Sequence, residues 1–253
     1  SDTTIDSIIR IFPPIALFTP IFDCIDKFNV EFQDASIGPE TWTWDINGDS
    51  IFTNTTIYTF PDTGVYDITL YVENLTYGCL DSTTQSITIV NPSVNFSYDD
   101  SIGCPPFNVN FTDLSTEATG WNWNFGDGGT SSQKNPSHSY TVPGIYDVQL
   151  IITSLNGCTD TLLIPQIINT LSTTVNFVAN DTAGCRPFNI NFTDISSSQG
   201  GGITNWLWDF GDGNTSISTN PNHTYTNVGD FTVSLQITDS TGCIGTLVKP
   251  FYI

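Results

Sequence analysis

The sequence predicts an all-β protein built of three tandem β-sandwich modules, and three observations carry that prediction. The first is an alternating aromatic stretch, Trp206-Leu207-Trp208-Asp209-Phe210, that runs into Gly211-Asp212-Gly213; residues 121–128 repeat it, and residues 42–49 are a blurred third copy. Alternation of this kind describes a strand with one buried face. It puts Trp44 with Ile46, Trp123 with Phe125 and Trp208 with Phe210 on the core side. The Gly-Asp-Gly that follows is a tight turn, glycine accepting a positive φ and aspartate capping its own backbone. The second observation is a long strand downstream of each copy: Gly64 to Leu70, Gly144 to Leu150 and Gly229 to Leu235. The third is the period of about 80 residues, which divides 253 residues into three small modules rather than one large domain. No stretch has the periodicity of a helix of useful length.

Taken in order, residues 1–12 do not begin a module. Ser1-Asp2-Thr3-Thr4 running to Ile11 resembles Asp81-Ser82-Thr83-Thr84 running to Ile89. The segment therefore reads as the last strand of a preceding module, or as a donor strand for a neighbouring subunit's sheet edge. The first module occupies 13–91. It opens with a strand at 15–18 and a second at 28–32, then the tryptophan strand, a short edge at 57–60, a long strand at 65–73 and a closing strand at 84–90. The second module, 92–171, repeats this from Val94 and Phe107, and the third, 172–253, from Val175 and Phe188. The joints, residues 91–93 and 169–172, are short, which favours a semi-rigid array over independent beads.

Modules two and three also carry Asn135-Pro136-Ser137-His138-Ser139-Tyr140 and Asn220-Pro221-Asn222-His223-Thr224-Tyr225 between the tryptophan strand and the long strand. The whole pattern resembles the PKD (polycystic kidney disease) family of immunoglobulin-like β-sandwiches, and covers essentially the entire chain. It is similar in particular to the PKD arrays of large secreted or surface proteins of Bacteroidota. The resemblance implies three tandem immunoglobulin-like PKD domains, preceded by a stray strand from a preceding module. Module one departs from the pattern: Asn47-Gly48-Asp49 replaces Gly-Asp-Gly, Tyr58 replaces the histidine, and no Asn-Pro precedes it.

Charge excludes several functions. Five Lys and Arg stand against 26 Asp and Glu, a net charge of −21. Nucleic acid needs basic patches, so it is not a partner, and membrane insertion is not expected either. The acidic surface opposes lateral association without cations or glycans; filaments, if formed, should weaken with chelator or deglycosylation.

The six cysteines fall two to a module, Cys24 and Cys79, Cys104 and Cys158, Cys185 and Cys243, separated by 55, 54 and 58 positions. This regularity predicts one disulfide within each module and an oxidising, extracytoplasmic location. Topology supports the pairing if the strands simply alternate in direction: the first cysteine precedes the second strand, the second follows the long strand, and both turns then share one end. Reduced or metal-bound thiols are the alternative, against which no Cys-x-x-Cys or Cys/His clustering is seen.

His138 and His223 occupy one repeat position, which suits a structural role better than a catalytic one. Asp34, Asp113 and Asp194 end the second strand of their modules and read as turn caps. Asp209, Asp212 and Asp127 offer oxygens that would suit calcium, which some PKD-like domains bind, but Asn124 replaces one carboxylate; otherwise no cofactor is expected. No nucleophile elbow, phosphate loop or His-Glu-x-x-His is present, so no active site is expected. Asp-Ser or Asp-Thr pairs at Thr3, Ser7, Ser50, Ser82, Ser101, Thr161, Thr182 and Ser240 resemble the O-glycosylation motif of exported Bacteroidota proteins, although turns are rich in these residues anyway. Trp42, Trp121 and Trp206 lie two residues before a core tryptophan, on the same face; they pack in the module or form a row that binds sugars.

The function this predicts is a non-catalytic extracellular or cell-surface array, part of a long repetitive adhesin or filament. Its partners would be neighbouring modules, copies of itself, glycans or other cell surfaces. The alternative is a set of accessory modules that bind polysaccharide or protein for a secreted hydrolase.

Overall fold

The computed structural model describes residues 14–253. The reading of 1–12 as a preceding or donor strand lies outside these residues, as do Thr3 and Ser7. Every regular element among the described residues is a strand. The first repeat has β1 (Phe18–Phe22), β2 (Asn29–Asp34), β3 (Thr41–Ile46), β4 (Asp49–Ile51), β5 (Thr55–Thr59), β6 (Gly64–Asn74) and β7 (Cys79–Ile89). The second has β8 (Phe96–Tyr98), β9 (Ile102–Gly103), β10 (Phe107–Asp113), β11 (Ala118–Asn124), β12 (Thr130–Ser131), β13 (Ser137–Tyr140), β14 (Gly144–Ser154) and β15 (Thr159–Thr170). The third has β16 (Thr173–Thr174), β17 (Phe177–Ala179), β18 (Phe188–Asp194), β19 (Ser197–Ser198), β20 (Ile203–Asp209), β21 (Thr215–Ser216), β22 (Asn222–Tyr225), β23 (Val233–Asp239) and β24 (Ile244–Lys249).

Each repeat is two sheets. In the first they are β1-β2-β5 and β4-β3-β6-β7; in the second β13-β10-β8 and β12-β11-β14-β15-β9; in the third β17-β18-β22 and β21-β20-β23-β24, with β16-β19 as a small ribbon. The all-β sandwich expectation holds. The chain folds as two compact units that do not coincide with the repeats. Of the described residues, one holds 14–95 with 114–122 and 150–162, and the other holds Phe96–Asp113, Trp123–Gln149 and Leu163–Ile253.

In the first unit, Phe18, Val30, Phe32, Trp44, Ile46, Ile68, Leu70 and Ile89 form one buried core. These are the alternate residues of β1, β2, β3, β6 and β7, as a pleated strand requires. Phe18 meets the Trp44 indole edge-on with centroids 5.1 Å apart. In the second unit the same edge-to-face pairs recur, Phe96 on Trp123 at 5.1 Å and Phe177 on Trp208 at 5.1 Å. Trp44, Trp123 and Trp208 are wholly buried. Each keeps its indole N–H satisfied, by the carbonyls of Thr53 (2.8 Å), Gln133 (2.9 Å) and Ser218 (2.9 Å). A buried indole needs such a partner.

Strand direction follows from the registers. In the first repeat β3 runs antiparallel to β6, with Thr41 opposite Glu73 and Ile46 opposite Ile68. Between them the chain reverses three times, because the turn after Ile46 is followed by the return strand β4, with Trp44 opposite Ile51, and then by β5. β12 and β21 are the same return strand after the Gly-Asp-Gly turns of the other repeats.

Candidate functional site

Two constellations recur in register: the turn below each core tryptophan, and the cysteines at the repeat ends. At the turn, Gly126 and Gly211 have φ of 83° and 80°. A Cβ there would also run into the backbone carbonyl of Asp147 or Thr232, so glycine is required twice over. Asp127 Oδ1 and Asp212 Oδ1 then accept the N–H of Gly129 (2.9 Å) and Asn214 (3.1 Å). Their Oδ2 atoms lie 2.8 Å from Nε2 of His138 and His223. Each imidazole lies flat on the phenylalanine before the turn, His138 on Phe125 at 4.1 Å and His223 on Phe210 at 4.1 Å. Tyr140 and Tyr225 stand edge-on to it and donate to the carbonyls of Phe125 (3.1 Å) and Phe210 (2.9 Å).

Partial burial raises the pKa of Asp127 and Asp212, but the hydrogen bonds from histidine and from the turn N–H groups outweigh it and hold both below the usual carboxylate range. Burial pushes the Tyr140 and Tyr225 phenols well up, so they remain donors. In the first repeat Tyr58 takes the histidine's place and donates to Asp49 Oδ2 at 2.7 Å. Asp49 lies one position later in its repeat than Asp127, yet it supplies the same acceptor.

These contacts put His138 and His223 in a stacked, hydrogen-bonded structural position. Asp209, named with Asp212 and Asp127 as a calcium ligand, turns Oδ1 to the Gly211 N–H at 2.9 Å. Among the described residues no three His, Cys, Asp or Glu side chains converge as a metal-binding group. The turn caps at the end of the second strand have an added role. Asp34 and Asp194 cap Ser36 and Ser196, and accept the indole N–H of Trp42 (2.8 Å) and Trp206 (2.7 Å). Both indoles pack on their cores. These two tryptophans are therefore tied into their own repeats.

The cysteines correct the sequence reading. The disulfides are Cys24–Cys158 and Cys104–Cys243, with Cα atoms 5.1 Å and 5.3 Å apart, and Cys79 and Cys185 are free. The expected pairs Cys24–Cys79, Cys104–Cys158 and Cys185–Cys243 do not form. The reason is the return strand. Cys24 lies in the turn before β2, at the end where Asn29 faces Thr59. Cys79 lies beyond the end of β6, where Glu73 faces Thr41 and Trp42 reaches the last residue of β2. The two cysteines of a repeat are thus at opposite ends of the sandwich. The same holds in the third repeat, where Cys185 precedes the Phe188–Tyr225 end and Cys243 follows the Ile203–Asp239 end. Counting five alternating strands omitted β4 and β21, and one extra reversal moves the second cysteine to the other end.

What each bridge joins is a first-position cysteine of one repeat to the second-position cysteine of the next. Around Cys24–Cys158, Lys27 Nζ donates to the Pro92 carbonyl (2.8 Å) and Asn156 Nδ2 to the Thr88 carbonyl (3.0 Å). Asn91 N–H donates to Glu117 at 2.7 Å. Beside Cys104–Cys243, Ser172 N–H donates to Gln199 Oε1 (3.2 Å), and β16 pairs with β19. Asp239, 2% exposed, accepts the N–H of Cys243 and Thr241 and the hydroxyls of Ser198 and Thr241. Its burial raises its pKa, and these donors more than reverse that. Of these junction residues the sequence marked only those in the joints, Asn91, Pro92 and Ser172; their partners lie far along the chain and carried no signal.

Of the Asp-Ser/Thr positions, Ser50, Ser82 and Thr161 lie in strands β4, β7 and β15 rather than in turns, and Ser50, Ser82, Thr161, Thr182 and Ser240 are exposed. Ser101 is half-buried. The aspartates have structural work: Asp81 and Asp160 accept the N–H of Ala16 (2.9 Å) and Val94 (3.1 Å), joining the last strand of a repeat to its opening segment.

No helix among the described residues is long and apolar enough to cross a membrane. The microbial collagenase of Vibrio alginolyticus is 49% identical over 54 residues, 21% of this chain and 7% of that protein. Collagenase ColA of Bacillus cereus is 44% identical over 50 residues, 20% of this chain and 5% of that protein. The chain spans less than a tenth of the length of these curated relatives, and the shared segment is shorter than one repeat. A solved structure described as the basis of promiscuous specificity in β-sandwich carbohydrate-binding modules is 15% identical, covers 62% of this chain and 83% of its own, and has a TM-score of 0.29. That likeness is too slight to bear on a ligand. The PKD domain profile matches residues 89–164 and 174–252, more than half the chain in two tandem copies. This chain belongs to the PKD domain family.

Proposed function

We propose that this chain is a non-catalytic, extracellular tension-bearing array, a segment of a long surface adhesin or extracellular filament. The observation that carries the reading is the pattern of bridges: Cys24–Cys158 and Cys104–Cys243 tie each repeat to the next instead of closing a repeat on itself. Disulfides of this kind belong to an oxidising compartment, which supports an extracellular or cell-surface location. A bridge that closes a loop of 134 residues contributes about 5 kcal/mol in the chain-entropy model. More to the point, force applied to the ends passes through the bridges. Neighbouring modules, and glycans or other surfaces met by the array, are its partners. The recurrent turns spend their aspartates on histidine and backbone, so the role calls for no resident cation.

Single-molecule stretching from end to end tests this. With the bridges intact, the shortest covalent path has 23 residue steps to Cys24, 54 from Cys158 back to Cys104 and 10 from Cys243 to Ile253. The fully stretched chain then reaches about 300 Å, against about 900 Å after reduction. Equal extension before and after reductant would overturn the reading. The collagenase relatives favour a second one, accessory modules of a secreted hydrolase. Saturable binding of collagen or a polysaccharide by the isolated chain would support it.

A further inference from the structure

We propose that Cys185 and Cys79 are the two halves of a third staple, so that one copy of this chain joins head to tail with a second through a Cys185–Cys79 disulfide. Neither is a stray thiol. Cys79 stands where Cys158 and Cys243 stand, directly after a turn glycine of positive φ: Gly78, Gly157 and Gly242 have φ of 64°, 80° and 89°. Cys185 stands where Cys104 stands, directly after a glycine packed on a phenylalanine ring, Gly184 on Phe188 as Gly103 on Phe107. Both kinds of position are bonded elsewhere in this molecule, always first position to second position of the following repeat.

The surfaces beside the two thiols also match. Cys158 and Cys243, once bonded, are 4% and 2% exposed. Cys79 is only half-buried, and next to it Leu75, Tyr77 and Leu80 are 59%, 77% and 71% exposed. Tyr77 precedes the turn glycine, the position from which Asn156 donates to the Thr88 carbonyl of the preceding repeat. Cys185 is exposed beside a cleft of about 230 Å³ lined by Ala183, Arg186, Phe188, Val228 and Phe231. Arg186, a cation next to the first-position cysteine, parallels Lys27, which already donates to the next repeat. Near the Cys79 end stands the carboxylate of Glu40, which holds the N–H and hydroxyl of Thr76 in the turn before Cys79. Apolar side chains thus stand at both ends, with Arg186 and Asp230 together beside Cys185.

The bond forms by thiol–disulfide exchange with a low-molecular-weight disulfide such as glutathione disulfide. The Cys185 thiolate attacks it, forming a mixed disulfide and releasing one glutathione thiolate. The Cys79 thiolate of the second copy attacks the Cys185 sulfur and releases the other. Two protein thiols are oxidised, their protons pass to solvent, and one glutathione disulfide is reduced to two glutathione molecules.

The inference rests on the reading of the chain as an array, and the two fail separately: stretching tests the internal bridges, and this experiment tests only the ends. The full chain, Cys79→Ser and Cys185→Ser are incubated in a glutathione redox buffer and resolved by non-reducing electrophoresis and peptide mass mapping. The unaltered chain should give a ladder of multimers whose linking peptide joins Cys185 to Cys79. Each variant alone should stay monomeric, and their equimolar mixture should give one covalent dimer and nothing larger. Dimers from either variant alone, a monomer closed by an internal Cys79–Cys185 bond, or no dimer in the mixture would overturn the proposal. Mapping Cys24–Cys158 and Cys104–Cys243 in the same digests confirms that the variants are folded.

Discussion

His223 Nε2 lies 2.8 Å from Asp212 Oδ2 while its ring rests on Phe210 with planes 3° apart. The contact fastens the tight turn to the core strand, and His138 with Asp127 does the same in the second repeat at the same distance.

Asp212→Asn and Asp127→Asn are each expected to lower stability at neutral pH by about 1–2 kcal/mol, the scale of a hydrogen bond to a charged group. The folded pKa of both aspartates is depressed. Their contribution is therefore present above the unfolded value of about 3.9 and fades as pH falls through the lower folded value. Melting curves of parent and variants should converge in strong acid. A constant gap at all pH values would refute the ionic contribution.

Trp206→Phe removes the donor to Asp194 from a half-buried ring and should cost about 1 kcal/mol. Trp208→Ala, at a wholly buried site, should cost about 3–5 kcal/mol. Denaturant titration of the two separates the indoles by role; similar losses would contradict the assignment of Trp206 to the margin of the core.

Gly211→Ala meets both a positive φ and the Thr232 carbonyl, whereas Gly213→Ala meets only a positive φ of 91° with open space around it. The first should destabilise by about 3 kcal/mol and the second by about 1 kcal/mol. Calorimetry that ranks them the other way would disprove the close approach of turn and long strand.

Calcium at millimolar concentration, or chelator, should leave the melting temperature unchanged. A ligand that binds only the folded state raises stability in proportion to the logarithm of its saturation. A rise that tracks calcium concentration would return Asp209, Asp212 and Asp127 to the role of ligands.

The strands and turns were legible because their determinants are local. Alternation at Trp206-Leu207-Trp208 specifies which face is buried, and Gly211-Asp212-Gly213 specifies a turn, with no knowledge of the rest of the chain. The equivalence of the two stacked histidines was readable from their recurrence at one repeat position. The Trp206–Asp194 bond was not, since each residue had a sufficient local explanation as packing residue or turn cap.

The sequence by itself determined three β-sandwiches, their core residues and the presence of six cysteines in two repeating positions. Only the tertiary structure decided which cysteines meet. Pairing depends on the end of the sandwich each turn occupies, and that is a parity, changed by every strand the chain adds. The three residues of β4 and the two each of β12 and β21 are too short to show an alternating pattern, yet each reverses the chain once. They send Cys79, Cys158 and Cys243 to the end away from Cys24, Cys104 and Cys185, and so turn what would be closures within repeats into links between them.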